Sequence, residues 1–520
     1  MSRKGPAPTP PWRAGGPDAA AALDPWRARP AGAPRGPSPP QPKVKFVAPQ
    51  PGMPPPVRRS PKPRVAGRPR PFTWPVDVDG AFAFAVFAAM LFVMQLGTLG
   101  GALVCVLAPA YLWTQRRRLW SILAPRSFLL LLPGLAILSY FWSEAPGDSL
   151  KAAGEYLVTV LAAIGLSAAL RPVSVLRGMF LAFLLYVVVN VAFGHAVGMG
   201  AYGDQAFSGL SDSKNLLADI TSTGLLTALG VVLTGVQHRR WPWVLGGILA
   251  MVVEAYVVIS ARSAGAMLGL GLGAAAMIGL VLFYRSAFAV RATLVGFIGF
   301  CAVLGGLSYR WLSTQLIDIA AGLFDKDSTL TGRTYLWYRA DELIHQKPLF
   351  GMGFGAFWRQ GNIDAEGLWR YFGVTNRGGF TFHNTKVQIL VELGWVGLSL
   401  AALLAAVGVI ALVVRFVKRP SLPMCVWAGI LLYELVRTPV EAIGIAPFYF
   451  STVLIFAAIG VAFVRDPVRI TAARPLRAVG RGARPVLVVA QPPAARGRRA
   501  AYAPRTSPHR LFGPEGGAKA

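Results

Sequence analysis

Three stretches stand close together in the second half of the chain: Gly332-Arg333-Thr334-Tyr335-Leu336-Trp337, Pro348-Leu349-Phe350-Gly351-Met352-Gly353-Phe354-Gly355, and Phe382-His383-Asn384. They belong to a run from Trp311 to Lys386 that is not membrane-like. The chain then turns apolar again through Glu392-Leu393-Gly394-Trp395-Val396-Gly397. Outward from this run the composition changes character. Of 520 residues, 54% are hydrophobic and only 14% charged, so lipid rather than water must solvate most of the chain. Crossing the hydrocarbon layer takes ~20 apolar residues. Twelve segments qualify, roughly 79–95, 97–114, 124–142, 149–169, 173–194, 214–236, 241–260, 262–283, 289–310, 386–415, 423–440 and 446–465. The expected fold is an all-α polytopic membrane protein whose long loop, 311–385, falls between spans nine and ten. The tenth segment exceeds what a bilayer needs, which predicts a tilted or protruding helix.

The net charge of +29 is concentrated at the ends. Residues 1–70 hold fourteen Lys and Arg against Asp18 and Asp24, and residues 465–520 hold twelve against Asp466 and Glu515. Both ends are rich in Pro, Ala and Gly and lack the large apolar residues that a core needs. The expected division is a disordered basic tail 1–75, a membrane domain 76–467 and a second basic tail 468–520. Such tails beside a polytopic core fit the cytoplasmic side and anionic lipid headgroups rather than nucleic acid. A polar, Pro-rich stretch of about 78 residues precedes the first span, which does not resemble a cleavable leader. Cys105, Cys301 and Cys425 all fall inside apolar segments and define no disulfide or metal framework.

With the amino terminus inside, the inner loops carry Arg116-Arg117-Arg118, Arg171, His238-Arg239-Arg240, Arg285 to Arg291, and Arg415 to Arg419. This is the distribution the positive-inside rule demands. The outer loops are then Ser143–Asp148, 195–213, the Ala261 turn, 311–385 and the Pro439–Ile445 turn. Lys214, Arg262, Arg333 and His383 come from four distant places, yet all fall at the outer face. Chemistry shared there works without ATP or nucleotide sugars and needs a membrane-carried activated donor.

Each of these residues has a functional and a plain reading. His383 can take a proton from a hydroxyl, or it is an interfacial histidine bonded to Asn384. Arg262, in Ser260-Ala261-Arg262-Ser263, suits a phosphate with its planar fork, or it snorkels to the interface. Lys214 and Asn215 open a helix that Ser211 or Asp212 can cap, forming an anion site, or Lys214 simply pairs with Asp212. Asp219, one turn below, can orient either of them. Arg333 opens an amphipathic helix, Thr334 to His345, expected to lie on the membrane surface as a lid. Gly351-x-Gly353-x-Gly355 lacks the context of a dinucleotide site and is expected to be a flexible turn. Asp325-Lys326-Asp327 resembles a metal-binding motif of soluble glycosyltransferases but is not in a comparable setting. Glu155, Glu254, Glu392 and Glu434 look scattered, which weakens a transport path.

Taken in order, Leu138-Ser139-x3-Ser143, Gly209 to Lys214-Asn215, Ser260-x-Arg262, Gly332-Arg333-x3-Trp337, Pro348-x2-Gly351-x-Gly353-x-Gly355, His383-Asn384 and Glu392-x-Gly394-x2-Gly397 resemble the O-antigen ligase and O-antigen polymerase superfamily of bacterial envelope glycosyltransferases. The resemblance covers about residues 130–465. It departs at Ser211-Asp212-Ser213, where an aromatic or histidine-bearing approach is usual, and in the long basic tails. The resemblance implies an inner-membrane enzyme with both termini cytoplasmic and its site periplasmic. Its donor would be a glycan on undecaprenyl pyrophosphate, and its acceptor another glycan or lipid A-core. It would need no cofactor or metal, would invert the anomeric carbon, and can work beside other polysaccharide-assembly proteins. By the same resemblance, His383, Arg262 and Arg333 would be catalytic, and Lys214, Arg262, Asn215 and Asn384 would hold the pyrophosphate. The rival class is a transporter or flippase of the same lipid-linked glycan.

Overall fold

A helix lies in every one of the twelve apolar segments. The computed structural model describes residues 77–199, 204–211, 213–308, 333–375, 377 and 379–464. The basic tails, Asp212, Gly332 and Asp325-Lys326-Asp327 lie outside the described residues. Counting helices of eight residues or more, the order is α1 (Val78–Leu91), α2 (Thr98–Thr114), α3 (Leu131–Leu138), α4 (Pro146–Ser167), α5 (Pro172–Phe193), β1 (His195–Met199) and β2 (Asp204–Gly209). There follow α6 (Lys214–Gln237), α7 (Trp241–Ser260), α8 (Ala264–Phe283), α9 (Phe288–Leu307), α10 (Arg333–Gln346), α11 (Ile363–Tyr371), α12 (Thr385–Lys418), α13 (Leu422–Arg437) and α14 (Phe450–Val461). Among the described residues, seven stretches are long and apolar enough to cross a membrane: the Arg116–Phe141 run around α3, then α4, α5, α6, α7, α8 and α12.

Lipid tails are as apolar as leucine, so these helices associate through close packing and polar contacts rather than the hydrophobic effect. The closest neighbours are α6 with α7, α1 with α5, α8 with α13, and α4 with α14. Small residues let backbones approach: a Cβ on Gly429 of α13 would lie 3.0 Å from the Gly273 carbonyl of α8.

The all-α expectation needs one correction. Between α5 and α6, β1 pairs antiparallel with β2, with Ala196 opposite Phe207 and Val197 opposite Ala206. The segment is too short to span and too irregular for a helix, so its backbone groups satisfy one another across a hairpin. Asn190 of α5 anchors the hairpin, its Oδ1 accepting from the Leu210 amide at 2.8 Å.

The tenth apolar segment is also not one continuous helix. α12 is two helices in line, broken at Gly394, whose φ of 63° and ψ of −163° lie outside the helical region. A break in an apolar helix leaves amides and carbonyls that lipid cannot satisfy. Here the chain at 348–353 supplies the partners. The amides of Trp395 and Val396 donate to the carbonyls of Pro348 and Leu349 at 2.9 and 3.1 Å. In return the amides of Met352 and Gly353 donate to the carbonyls of Val391 and Glu392 at 2.8 and 2.9 Å.

The glycine-rich run is therefore pinned rather than flexible. At Gly353 (φ 109°) a side chain would collide with Ser143. The same segment is held to the other side of the bundle by Ser139, whose Oγ accepts from the Phe354 amide at 3.0 Å, and by Trp142, whose indole donates to the Phe350 carbonyl at 2.9 Å.

Nor does α10 lie on a membrane with its apolar face down. Leu336, Ala340 and Leu343 are buried in a separate small core with Met352, Phe357, Leu368, Trp369, Phe382 and Val391. Asn362 caps α11, accepting from the Asp364 amide at 3.2 Å. The rings of Phe357 and Phe382 lie 5.0 Å apart, and those of Trp358 and Phe382 lie 4.9 Å apart. The 333–382 region thus has its own apolar interior, seated on the start of α12.

Replacing Gly394 by Ala puts a Cβ into the Leu349 carbonyl at a positive φ, at an expected cost of about 1–3 kcal/mol. Thermal unfolding of the G394A variant in detergent should show a lowered midpoint, with new protease cleavage between residues 349 and 382; an unchanged midpoint and cleavage map would mean the four-bond lock is dispensable.

Candidate active site

His383 sits at the junction between the small core and α12. Its backbone is fixed on both sides. The Phe382 carbonyl accepts the Trp337 indole at 2.8 Å, and the Phe382 amide donates to Gln388 Oε1 at 3.1 Å. Asn384 caps α12, with Oδ1 accepting from the Val387 amide at 3.2 Å and Nδ2 donating to the Pro439 carbonyl at 3.0 Å. Between these anchors His383 adopts a φ of 49°, a left-handed conformation that non-glycine residues hold only where the surroundings impose it.

The imidazole faces a residue that sequence reasoning passed over. His383 Nδ1 lies 3.0 Å from Glu441 Oε2, and Arg333 Nη2 donates to Glu441 Oε1 at 3.2 Å. Arg333 Nη1 also donates to the Val440 carbonyl at 2.6 Å. Burial would raise the Glu441 carboxyl, but the His383 hydrogen bond, with the charges of His383, Arg333 and Arg437, outweighs it and holds the carboxyl below its ordinary value. An ionised carboxylate only accepts, so Nδ1 carries the shared proton, and whenever the imidazole is neutral its lone pair falls to Nε2. The three side chains are partly open, 29% exposed for His383, 20% for Glu441 and 16% for Arg333.

The turn bearing Glu441 is bound to α12. The Thr385 amide donates to the Thr438 carbonyl at 2.9 Å, and Thr385 Oγ1 donates to the Glu441 carbonyl at 2.8 Å. Beneath the turn is a buried ionic cluster. Arg437 is paired with Asp219 and lies 3.7 Å from Glu434. Tyr433 donates to Asp219 Oδ1 at 2.9 Å, Tyr449 to Oδ2 at 3.2 Å, and Ser451 to Glu434 at 2.7 Å. So Asp219 does not orient Lys214 or Asn215; it neutralises Arg437 across the bundle. Glu434 is likewise a member of a cluster, not a scattered acid.

Lys214 is the first residue of α6, half-buried, and the cap is Ser213, which accepts from the Leu216 amide at 3.3 Å. Ser211 instead donates to the Ser208 carbonyl at 3.0 Å, so it is not the cap, and Asp212 lies outside the described residues. Asn215 Oδ1 accepts from Ser263 Oγ at 3.0 Å, tying the start of α6 to the turn that carries Arg262. Arg262 is exposed, with φ 48°. The same turn borders the Glu441 segment, since a Cβ on Gly265 would lie 3.5 Å from Val440. The three separated cations Lys214, Arg262 and Arg333 and the imidazole of His383 therefore belong to one connected end of the bundle. Arg333 and Asn384, however, spend their polar groups on Glu441, Val440, Val387 and Pro439 rather than on an open site. Among the described residues no group of three His, Cys, Asp or Glu side chains is placed to hold a metal ion.

Two likenesses to known proteins bear on this arrangement. Residues 249–402 match the O-antigen ligase family. Over 394 residues the chain is 30% identical to the exopolysaccharide production protein ExoQ of Rhizobium meliloti (strain 1021), covering 74% of this chain and 88% of that protein. The chain belongs to the O-antigen ligase and polymerase superfamily. The family match contains Arg262, Arg333, His383 and the Gly394 break, and stops before Arg437 and Glu441. The sequence signal that could have found Glu441 was its acid in an otherwise apolar turn, Pro439-Val440-Glu441-Ala442, on the face expected from sequence to hold Lys214, Arg262 and Arg333.

A carboxyl with a lowered folded value stabilises the fold above its unfolded value, and that contribution is lost as pH falls through the folded one. Thermal midpoints of the wild type and of Glu441→Gln, measured across acid pH, should therefore converge as pH drops below the ordinary carboxylate range and separate above it. A gap independent of pH would show that Glu441 is not ionised in the folded protein.

Proposed function

We propose that this superfamily member is a glycosyltransferase that moves a glycan from a polyprenyl pyrophosphate to a sugar hydroxyl at the outer face of the membrane. The observation that carries this reading is the Glu441–His383 pair, which leaves Nε2 as a proton acceptor at the same end of the bundle as Lys214 and Arg262. The acceptor O–H gives its proton to His383 Nε2 as the oxygen bonds to the anomeric carbon. The carbon–oxygen bond to the pyrophosphate breaks on the opposite side, and the pyrophosphate leaves with the electron pair. Attack opposite the leaving group inverts the anomeric centre. Lys214 and Arg262 stabilise the charge that grows on the leaving group, as preorganised cations do in a site shielded from water.

Arg333 enters this scheme as a positioning residue. Its guanidinium fixes one oxygen of Glu441 while His383 takes the other, so the carboxylate cannot rotate away. Asn384 and Asn215 support the same frame, one capping α12 and the other joining α6 to the Arg262 turn. Kinship with an exopolysaccharide production protein favours a repeat-unit acceptor, hence chain extension, over attachment to lipid A-core.

His383→Ala should remain membrane-inserted and lose transfer on a purified polyprenyl-pyrophosphate glycan by about 10²–10⁴-fold, the usual contribution of a general base. Full transfer by that variant sinks the assignment. In cells, deletion that leaves single repeat units on an outer lipid supports extension, whereas long unattached chains support ligation. Arg333→Lys, which keeps the charge but loses the fork, should lower kcat and narrow its pH profile with KM for donor little changed.

A further inference from the structure

Glu392, one of the acids that look scattered along the chain, is buried in the last helical turn before the Gly394 break. Its backbone belongs to the four-bond lock, the carbonyl accepting from the Gly353 amide at 2.9 Å. Its side chain does something else. Oε1 accepts from Gln388 Nε2, one turn back on α12, at 2.8 Å. The Gly355 amide donates to the carboxyl as well. Tyr156 of α4 also faces it, but that hydroxyl donates to the Gly444 carbonyl at 2.9 Å.

Gln388 is buried too, and its amide has two unlike ends. The Phe382 amide can only donate, so the oxygen of Gln388 must face it, at 3.1 Å, and the NH2 must face Glu392. Either charge state of Glu392 leaves Oε1 able to accept. The result is a chain of bonds, Glu392 to Gln388 to Phe382, that ends one residue from His383. The Trp337 indole takes the Phe382 carbonyl at 2.8 Å, so Phe382 is held at both of its peptide groups. That hold matters because His383 has a φ of 49°. A residue in that region relaxes once its surroundings stop over-determining it. Releasing the Phe382 amide lets the backbone turn at His383 and draws the imidazole off Glu441.

We propose that Gln388 is a positioning residue for the transfer step and that Glu392 aims it. This rests on the transferase reading, since the group being placed is the base of that reaction. Both side chains act through Phe382 and His383 rather than on substrate. A contact that only held the fold would change how much protein is folded. This one changes the rate of each folded molecule, because displacing a catalytic group by ~1 Å can cost about 10²-fold. Lys214 and Arg262 lie on other elements, so donor binding is left in place and the loss falls on kcat.

The test uses the full chain in phosphatidylcholine nanodiscs with a polyprenyl-pyrophosphate glycan as donor. Gln388→Met keeps the length of the side chain and loses both bonds. In folded protein its kcat should drop by about 10²-fold with donor KM little changed. Gln388→Glu brings two carboxyls within hydrogen-bond reach, so their bond survives only while they share a proton. Its kcat should therefore fall on the alkaline side at lower pH than that of the wild type. Swapping the pair, Gln388→Glu with Glu392→Gln, restores the chain with one link reversed: a carboxylate meets the Phe382 amide and accepts from the new amide at 392. The swap should recover most of kcat and the wild-type pH profile. Hydrogen–deuterium exchange of the peptide carrying Phe382 and His383 reads the same hold without substrate, with protection lost in Gln388→Met and regained in the swap. Unchanged kcat in folded Gln388→Met overturns the proposal, as does a folded swap that transfers no better at alkaline pH than Gln388→Glu. Should Gln388→Met fail to fold, the Gln388→Glu profile and its rescue decide. Protection that follows this pattern with no transfer by the wild type would fell the transferase reading and leave the hold on His383 standing.

Discussion

A helix cannot break inside hydrocarbon unless other protein groups take up its hydrogen bonds. That constraint organises the end of the molecule that carries His383. The break at Gly394 is satisfied by four backbone hydrogen bonds to 348–353, and the same segment is gripped from the far side by Ser139 and Trp142. The region between 333 and 382 is thereby fastened to the bundle at one end, while the Asn384 cap fastens it at the other. His383 has little freedom left between these two points. Its strained backbone is the local expression of a fixed frame.

The second constraint is charge. Arg437 is buried at the top of α13, where an unpaired guanidinium would be very unfavourable, and Asp219 from α6 meets it with Tyr433 and Tyr449 completing the carboxylate's bonds. This cluster holds the α13–α14 turn in place, and the turn presents Glu441. From there the carboxylate divides its two oxygens between Arg333 and His383. A deep ion pair thus positions a shallow one, and the shallow one turns the Nδ1 side of the imidazole toward Glu441.

Much of this was legible in the chain itself. The twelve apolar segments, the two-helix beginning around Gly97, and the helix from Arg333 all follow from hydropathy, helical spacing and residue chemistry. The resemblance to the superfamily rested on the same short motifs and is matched by the comparisons. What misled was treating each motif by itself. Gly351-x-Gly353-x-Gly355 looks like a loose turn until Gly394 is placed opposite it. Asp219 and Glu434 look like isolated acids until α6 and α13 are packed together.

Hydropathy along the chain therefore determined that this is a helical membrane protein with a non-membrane region before α12, because lipid and water sort residues one at a time. Pairing was decided only by tertiary structure. Glu441 with His383 are 58 positions apart, and Asp219 with Arg437 are 218 apart. No local periodicity encodes such separations, because each partner alone is an ordinary charged residue whose cost or benefit depends on what folding brings beside it.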